Sequence, residues 1–354
     1  MNKIYDFLRS VKLALILFIS ILISCVTGVM FFPDQQAKAM IFSSLWFNSL
    51  LILLVVNIGF CFFSRVWRRK ITPVSLGMIL FHLSFVLIFA GIVYNSLFYF
   101  NGAIRLSEGE TLSNTVPQSY DLAEWGRFFN HARLKGDTTL VKLHTHYKVN
   151  SADKGVANQI LVGDGNDKKE GFVYITNHMD YNGFRYFRDR DGFSLLIILY
   201  DKHGRERYGA FVPLQSLKQK DGTYLYTSGT AVRSGSFPFP QDPLKPLLNL
   251  QISYSPDPQK ERAGHVYFQV WPFREGHHVQ GEKIIAKGEA ALREKFTAGD
   301  YFLSVHEVRY WASMNVRYDP GLLIILTSFW IGLGGMILTT IARLARSRKR
   351  QDTG

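Results

Sequence analysis

Four long apolar runs constrain this chain of 354 residues more than any other feature: residues 11–32, 41–63, 74–98 and 321–342. Each reaches the ~20 residues an α-helix needs to cross a hydrocarbon core about 30 Å thick. Read instead as buried helices of a soluble core, they would have to be apolar on every face, several times over. They are therefore read as transmembrane helices. The chain-wide mean hydropathy is close to zero only because the segment between the third and fourth runs is polar.

The charges are distributed in the same uneven way. Of a net charge of +13, most lies beside the apolar runs: Lys3, Arg9 and Lys12; Arg65, Arg68, Arg69 and Lys70; Arg343, Arg346, Arg348, Lys349 and Arg350. Only Asp6 and Asp352 oppose these twelve cations, and the large middle segment is nearly balanced. A basic surface for nucleic acid is not what this pattern describes. Cationic flanks before the first run, between the second and third, and after the fourth put those segments in the cytoplasm by the positive-inside rule. The expected layout is residues 1–98 as three transmembrane helices, 99–320 as an extracytoplasmic domain, 321–342 as a fourth helix, and 343–354 as a basic cytoplasmic tail. The first run is longer than the h-region of a signal peptide and closes on no A-x-A site, so it reads as an uncleaved anchor.

The middle segment carries strand signals. Residues 193–200 (FSLLIILY) are β-rich, Asp201-Lys202-His203-Gly204 suits a hairpin turn, and 207–212 reads as the returning strand. Further strands are expected at 140–149, 171–177, 247–254, 265–271 and 301–310, with short helices at 121–133 and 286–296. The fold class is thus a membrane protein of four transmembrane α-helices plus a large β-rich, sandwich- or barrel-like extracytoplasmic domain.

Both cysteines, Cys25 and Cys61, fall inside apolar runs. Their depths differ by far more than the ~7 Å Cα separation a disulfide tolerates, so both read as small packing residues. The chain has no C-x-x-C-H and is not itself a c-type cytochrome. No hydrolase, NTPase or protease motif occurs, and no catalytic residue or metal site is assigned. Of ten histidines, nine lie in the middle segment. His144 and His146 would share one strand face, and His277 and His278 are adjacent in a polar stretch.

His82 is the exception. It lies within Ile79-Leu80-Phe81-His82-Leu83-Ser84-Phe85, with no charged neighbour. At ~1.5 Å per residue it sits roughly 13 Å from Pro73, in the cytoplasmic half of its span. An ionisable group at such depth is costly and marks a functional position or a polar contact between helices. Imidazole is an axial ligand for haem iron. No other histidine lies in any of the four runs, so a second ligand on this chain is missing and a self-contained electron-transfer cytochrome is disfavoured.

Several blocks, taken in order, resemble the ResB family. They are Phe7-Leu8-Arg9-Ser10-Val11-Lys12-Leu13-Ala14 with Thr27-Gly28 and Phe32-Pro33; Ser43-Ser44-Leu45-Trp46-Phe47 with Asn57-Ile58-Gly59-Phe60-Cys61; and His82 and Gly91 leading into Asn101-Gly102. Then come Leu106-Ser107-Glu108-Gly109-Glu110-Thr111, Ile175-Thr176-Asn177-His178, Tyr181-Asn182-Gly183-Phe184-Arg185-Tyr186-Phe187, and Asp319-Pro320-Gly321. The resemblance implies the System II pathway of cytochrome c biogenesis in a bacterial inner membrane. It implies a ResC/CcsA-type partner with a tryptophan-rich haem-presenting motif, and apocytochrome c as the acceptor. His82 would match the family's transmembrane histidine, a candidate axial ligand of haem bound transiently and shared with the partner. The chain would then be a non-catalytic or co-catalytic subunit of a cytochrome c haem lyase complex. The alternative is a membrane scaffold or assembly factor for a multihaem system that binds no haem itself.

Overall fold

The computed structural model describes residues 6–33, 37–42, 44–66, 71–165, 167–219, 224–228, 235–240, 245–257, 259–260, 262–273 and 283–351. The chain divides into two compact units: Met1–Asn101 with Ala123–Arg133 and Arg317–Gly354, and Gly102–Leu122 with Leu134–Val316.

The first unit is helical. Helix α1 (Val11–Phe31) opens on Ser10, whose hydroxyl accepts from the Leu13 N–H. Helix α2 (Leu45–Val66) starts later than the sequence suggests. A π-helical turn, Lys38–Phe42, precedes it, and the Ser44 hydroxyl accepts from the Phe47 N–H to open the α-helix. Helix α3 (Pro73–Phe98) has a capping box between Thr72 and Ser75 with proline in its first turn, which satisfies orphaned N–H groups. Helix α4 is Leu322–Gln351. Among the described residues, three helical stretches are long and apolar enough to cross a membrane: Val11–Phe31, Pro73–Phe98 and Leu322–Arg348. Helix α2 contributes a shorter apolar stretch, Leu45–Cys61.

Polar side chains inside this unit are used to tie segments together. The Asn57 amide donates to the Leu8 and Ser10 carbonyls at 2.7 and 3.1 Å, and the Cys61 thiol donates to the Arg9 carbonyl at 2.8 Å. Cys25 and Cys61 are both free thiols. Asn48 donates to the Ser96 hydroxyl at 3.1 Å, joining α2 to α3. Between α3 and α4 the contact is backbone-close. A Cβ on Gly77 would stand 2.7 Å from the Gly335 carbonyl, and one on Gly332 would stand 2.4 Å from the Ser84 hydroxyl. Gly91 faces Ile325 in the same way. Small residues at seven-residue intervals let two helices approach where lipid offers no hydrophobic drive.

The β-sheets lie chiefly in the second unit. A seven-stranded sheet runs in the order Glu206–Pro213, Phe184–Tyr200, Tyr301–Tyr318, Phe100–Ser107, Tyr120–Trp125, with Met179–Tyr181 and Phe296–Ala298 paired at its side. A six-stranded sheet runs Gln215–Lys218, Tyr224–Thr227, Leu248–Pro256, Gly264–Pro272, Ala286–Ala291, with Phe237–Phe239 attached. The two share one core. Leu195, Ile197 and Leu199 from the first sheet meet Leu250, Ile252, Val266 and Phe268 from the second, all almost completely buried. Each contributes roughly 1.5–3 kcal/mol through burial. A four-stranded sheet adds Thr111–Ser113, Asp137–His144, Ala157–Asp164 and Asp167–Tyr174. Its start is organised by buried Asn114, which accepts from the Thr138 hydroxyl at 2.7 Å and donates to the Lys135 carbonyl at 3.1 Å. Tyr120 donates to the Asn114 carbonyl, and the Tyr186 hydroxyl joins Thr138 and Asn114.

The strand at 193–200 and its hairpin are present: the Asp201 carboxylate accepts from the His203 and Arg205 N–H groups, which holds its pKa below the usual range. Two expected helices are strands instead. Residues 286–296 are rich in helix formers, yet Ala286–Ala291 pairs along Val270 to His265. There the chain turns, Arg293 takes a positive φ, and its N–H donates to the Val305 carbonyl. Long-range ladder bonds outweigh a propensity worth only tenths of a kcal/mol per residue. Within 121–133 the chain is extended to Trp125 and helical only at His131–Arg133. The strand expected at 140–149 ends at His144, so His146 lies in a turn and the two histidines do not share a strand face. His277 and His278 lie outside the described residues.

Candidate functional site in helix α3

The geometry of α3 gives His82 a defined orientation. Helical residues are spaced 100° apart, and Gly77, Ser84 and Gly91 form the face packed on α4. His82, two residues before Ser84, points about 160° away from that face. It is half-buried, beside Phe81 at 5.6 Å between ring centroids, while Phe81 in turn meets Phe85 edge-on at 4.9 Å.

The ring is also oriented by the backbone. His82 Nδ1 lies 2.7 Å from the Met78 carbonyl one turn earlier. A carbonyl only accepts, so Nδ1 carries a proton and donates. That is the state a metal-ligating histidine takes when its other nitrogen is oriented by a backbone carbonyl. The donor set therefore fits an axial haem ligand: an imidazole whose Nδ1 is tied to the backbone, which leaves Nε2 as the nitrogen to ligate, beside Phe81. Among the described residues no three His, Cys, Asp or Glu side chains gather into a metal-binding group.

The polar-domain histidines are engaged one by one. His144 Nε2 is 2.9 Å from Gln159 Oε1, His306 meets the Tyr200 hydroxyl at 2.9 Å, and His265 approaches Glu289 at 3.3 Å. His178 stacks on Phe187 and lies 3.5 Å from Asp180.

A cluster the sequence did not reveal surrounds Glu108, in the turn Ser107–Glu110. Its side chain accepts from the Leu143 N–H at 2.9 Å and pairs with Arg262 at 2.8 Å. Arg309 donates to the Glu108 carbonyl at 3.3 Å while its Nε and Nη2 engage Glu307, which raises its pKa. Glu108, Lys142, Arg262 and Arg309 border a cavity of about 390 Å³. Glu108 pairs with Arg262 and Glu307 with Arg309, so the cluster braces one turn against a loop and a long strand. Only Leu106-Ser107-Glu108-Gly109-Glu110-Thr111 is visible locally; Arg262 and Arg309 arrive from more than 150 positions away. Tyr181-Asn182-Gly183-Phe184, which the sequence presented only as part of a resemblance block, forms an Asn-Gly hairpin turn. Both central residues have positive φ, 49° and 82°, and Tyr181 pairs with Phe184.

Apolar helices of membrane-crossing length together with a large β-rich domain define a membrane protein carrying one substantial polar domain. Within it, residues 74–159 match the model of the ResB-like family. The matched stretch takes in almost all of α3, His82 included, and the turn that carries Glu108. The match points to cytochrome c biogenesis. No curated protein matches the chain.

Proposed function

We propose that this protein is a haem-handling subunit of a System II cytochrome c synthase. It would act with a ResC/CcsA-type membrane partner to move haem outward and attach it to apocytochrome c. In this reading four helices cross a bacterial inner membrane, α2 included, with both termini cytoplasmic and the β-rich domain outside. The cationic flanks support that orientation.

The observation that carries the reading is His82 itself: the single histidine of the apolar runs, its Nδ1 bonded to the Met78 carbonyl, inside the stretch that matches the ResB-like family. Haem bound there would supply the iron-porphyrin cargo that is joined to the cytochrome. His82 would provide one axial ligand, and the Met78 carbonyl would keep the imidazole oriented and its basicity raised. The second ligand would come from the partner, since this chain has no further intramembrane histidine.

The test is to co-express the chain, its partner and a C-x-x-C-H acceptor, then measure covalent haem on the acceptor and the Soret band of the purified complex. His82→Ala should abolish both, and His82→Gly should regain the Soret band with added imidazole. Normal maturation and an unchanged spectrum in His82→Ala would refute the assignment. Maturation without any Soret band in the parent complex would favour the haem-free scaffold.

A further inference from the structure

The segment Ala123–Arg133 belongs to the helical unit and is seated on the C-terminal end of α3. The Gly126 N–H donates to the Tyr99 carbonyl and the Phe128 N–H to the Leu97 carbonyl, both at 2.8 Å. These bonds satisfy carbonyls that a helix end otherwise leaves orphaned. They also demand glycine at 126, because a Cβ would stand 2.4 Å from the Leu97 carbonyl. The segment is thereby fixed at the level where α3 leaves the membrane, with these backbone groups already satisfied.

Its side chains suit that level. Trp125 and Phe128 are exposed at 44% and 57%, and Tyr94 on α3, which borders the same cavity as Phe128, is exposed too. Arg127, His131 and Arg133 are exposed among them. Aromatic residues interleaved with cations are the composition of a membrane–water interface. Between these groups lies a cavity of about 140 Å³ bordered by Tyr94, Phe98, Phe128, Asn130, Arg133 and Tyr318. The Arg133 guanidinium lies 5.2 Å from the centre of the Tyr318 ring. Among the described lining residues there is a cation and an amide but no carboxylate.

We propose that this cavity binds the phosphodiester headgroup of an anionic phospholipid, with Arg133 and Asn130 on the phosphate and Tyr94, Phe98 and Phe128 against the glycerol and upper acyl chain. Guanidinium matches phosphate oxygens in charge and in planar donor geometry. Size decides against the other anionic amphiphile of this system. Pockets that enclose ligands of drug size run to about 300–1,000 Å³, so a cavity of 140 Å³ holds a headgroup but not a porphyrin. The inference rests on α3 being a membrane span, as in the proposed function, but not on haem binding at His82.

The test uses the full chain purified in neutral detergent. Dioleoyl-phosphatidylglycerol, dioleoyl-phosphatidylcholine, inorganic phosphate and haemin are added separately, and thermal midpoint and bound lipid are read, the latter by native mass spectrometry. Phosphatidylglycerol should bind at least fivefold more tightly than phosphatidylcholine and raise the midpoint. Arg133→Gln should remove that preference, Arg133→Lys should keep most of it, and His82→Ala should leave it untouched. In nanodiscs, lipids brominated high on the acyl chain should quench the fluorescence that Trp125→Phe removes. Equal binding of the two lipids, or an unaltered preference in Arg133→Gln, overturns the proposal. So does a phosphate response equal to that of the lipid, or a haemin response that depends on Arg133.

Discussion

Replacing Glu108 by alanine should be among the most destabilising single changes in the β-rich unit. The side chain is only 8% exposed and serves two partners from different parts of the chain. The Leu143 N–H, bonded at 2.9 Å in a buried setting, would lose its acceptor; a buried donor left unpaired costs about 1–3 kcal/mol. Arg262, paired at 2.8 Å, is 35% exposed and can regain water, so its share is about 1 kcal/mol or less. The expected loss is therefore about 1–4 kcal/mol. For a unit of this size that lowers the thermal midpoint by roughly 2–16 °C. Glu108→Gln keeps an oxygen for the Leu143 N–H and gives up the charge, so it should lose about 1 kcal/mol, as should Arg262→Gln. The assay is thermal unfolding of the full chain in detergent, followed by the strand signal in circular dichroism. Glu108→Ala within a degree of the parent would refute the reasoning, as would Glu108→Gln falling as far as Glu108→Ala.

Two other expectations concern the fold. Burial lifts the Tyr186 phenol from an ordinary 10 to about 12. Its stabilisation is fully present below pH 10 and is lost as pH rises from 10 towards 12, on the order of 3 kcal/mol. Alkaline titration of stability should therefore be flatter in Tyr186→Phe over that window; an unchanged slope would show that the phenol is not responsible. Gly77→Leu would force side-chain atoms against the Gly335 carbonyl and the Thr339 N–H of α4. It should lower the midpoint of the helical unit by an overpacking penalty of about 1–3 kcal/mol, whereas Gly59→Leu, in open space, should be near neutral in the same melt.

How much was legible beforehand follows the range of the forces. Hydropathy alone located α1, α3 and α4, because a helix of that length and apolarity has no other stable environment. It missed the start of α2, where a π-helical turn and the Ser44 cap, not composition, set the boundary. The strands at 193–200, 247–254 and 265–271 were readable because β-branched and aromatic residues cluster between turns. Ala286–Ala291 was not, since its residues favour helix and become a strand only beside Gly264–Pro272.

The candidate site divides in the same way. By itself the sequence determined that one histidine stands in an apolar run, where an ionisable side chain is costly, and that most of the net charge lies beside the runs. Only the tertiary structure decided which face of α3 the ring occupies. The glycines packed on α4 claim the opposite face, and the Met78 carbonyl holds the proton on Nδ1. The pairing of Glu108 with Arg262, and the gathering of Tyr94, Phe128, Arg133 and Tyr318 around one cavity, join residues that are far apart in the chain. No local pattern encodes such meetings; they exist once sheet register and helix packing have brought distant backbone within contact.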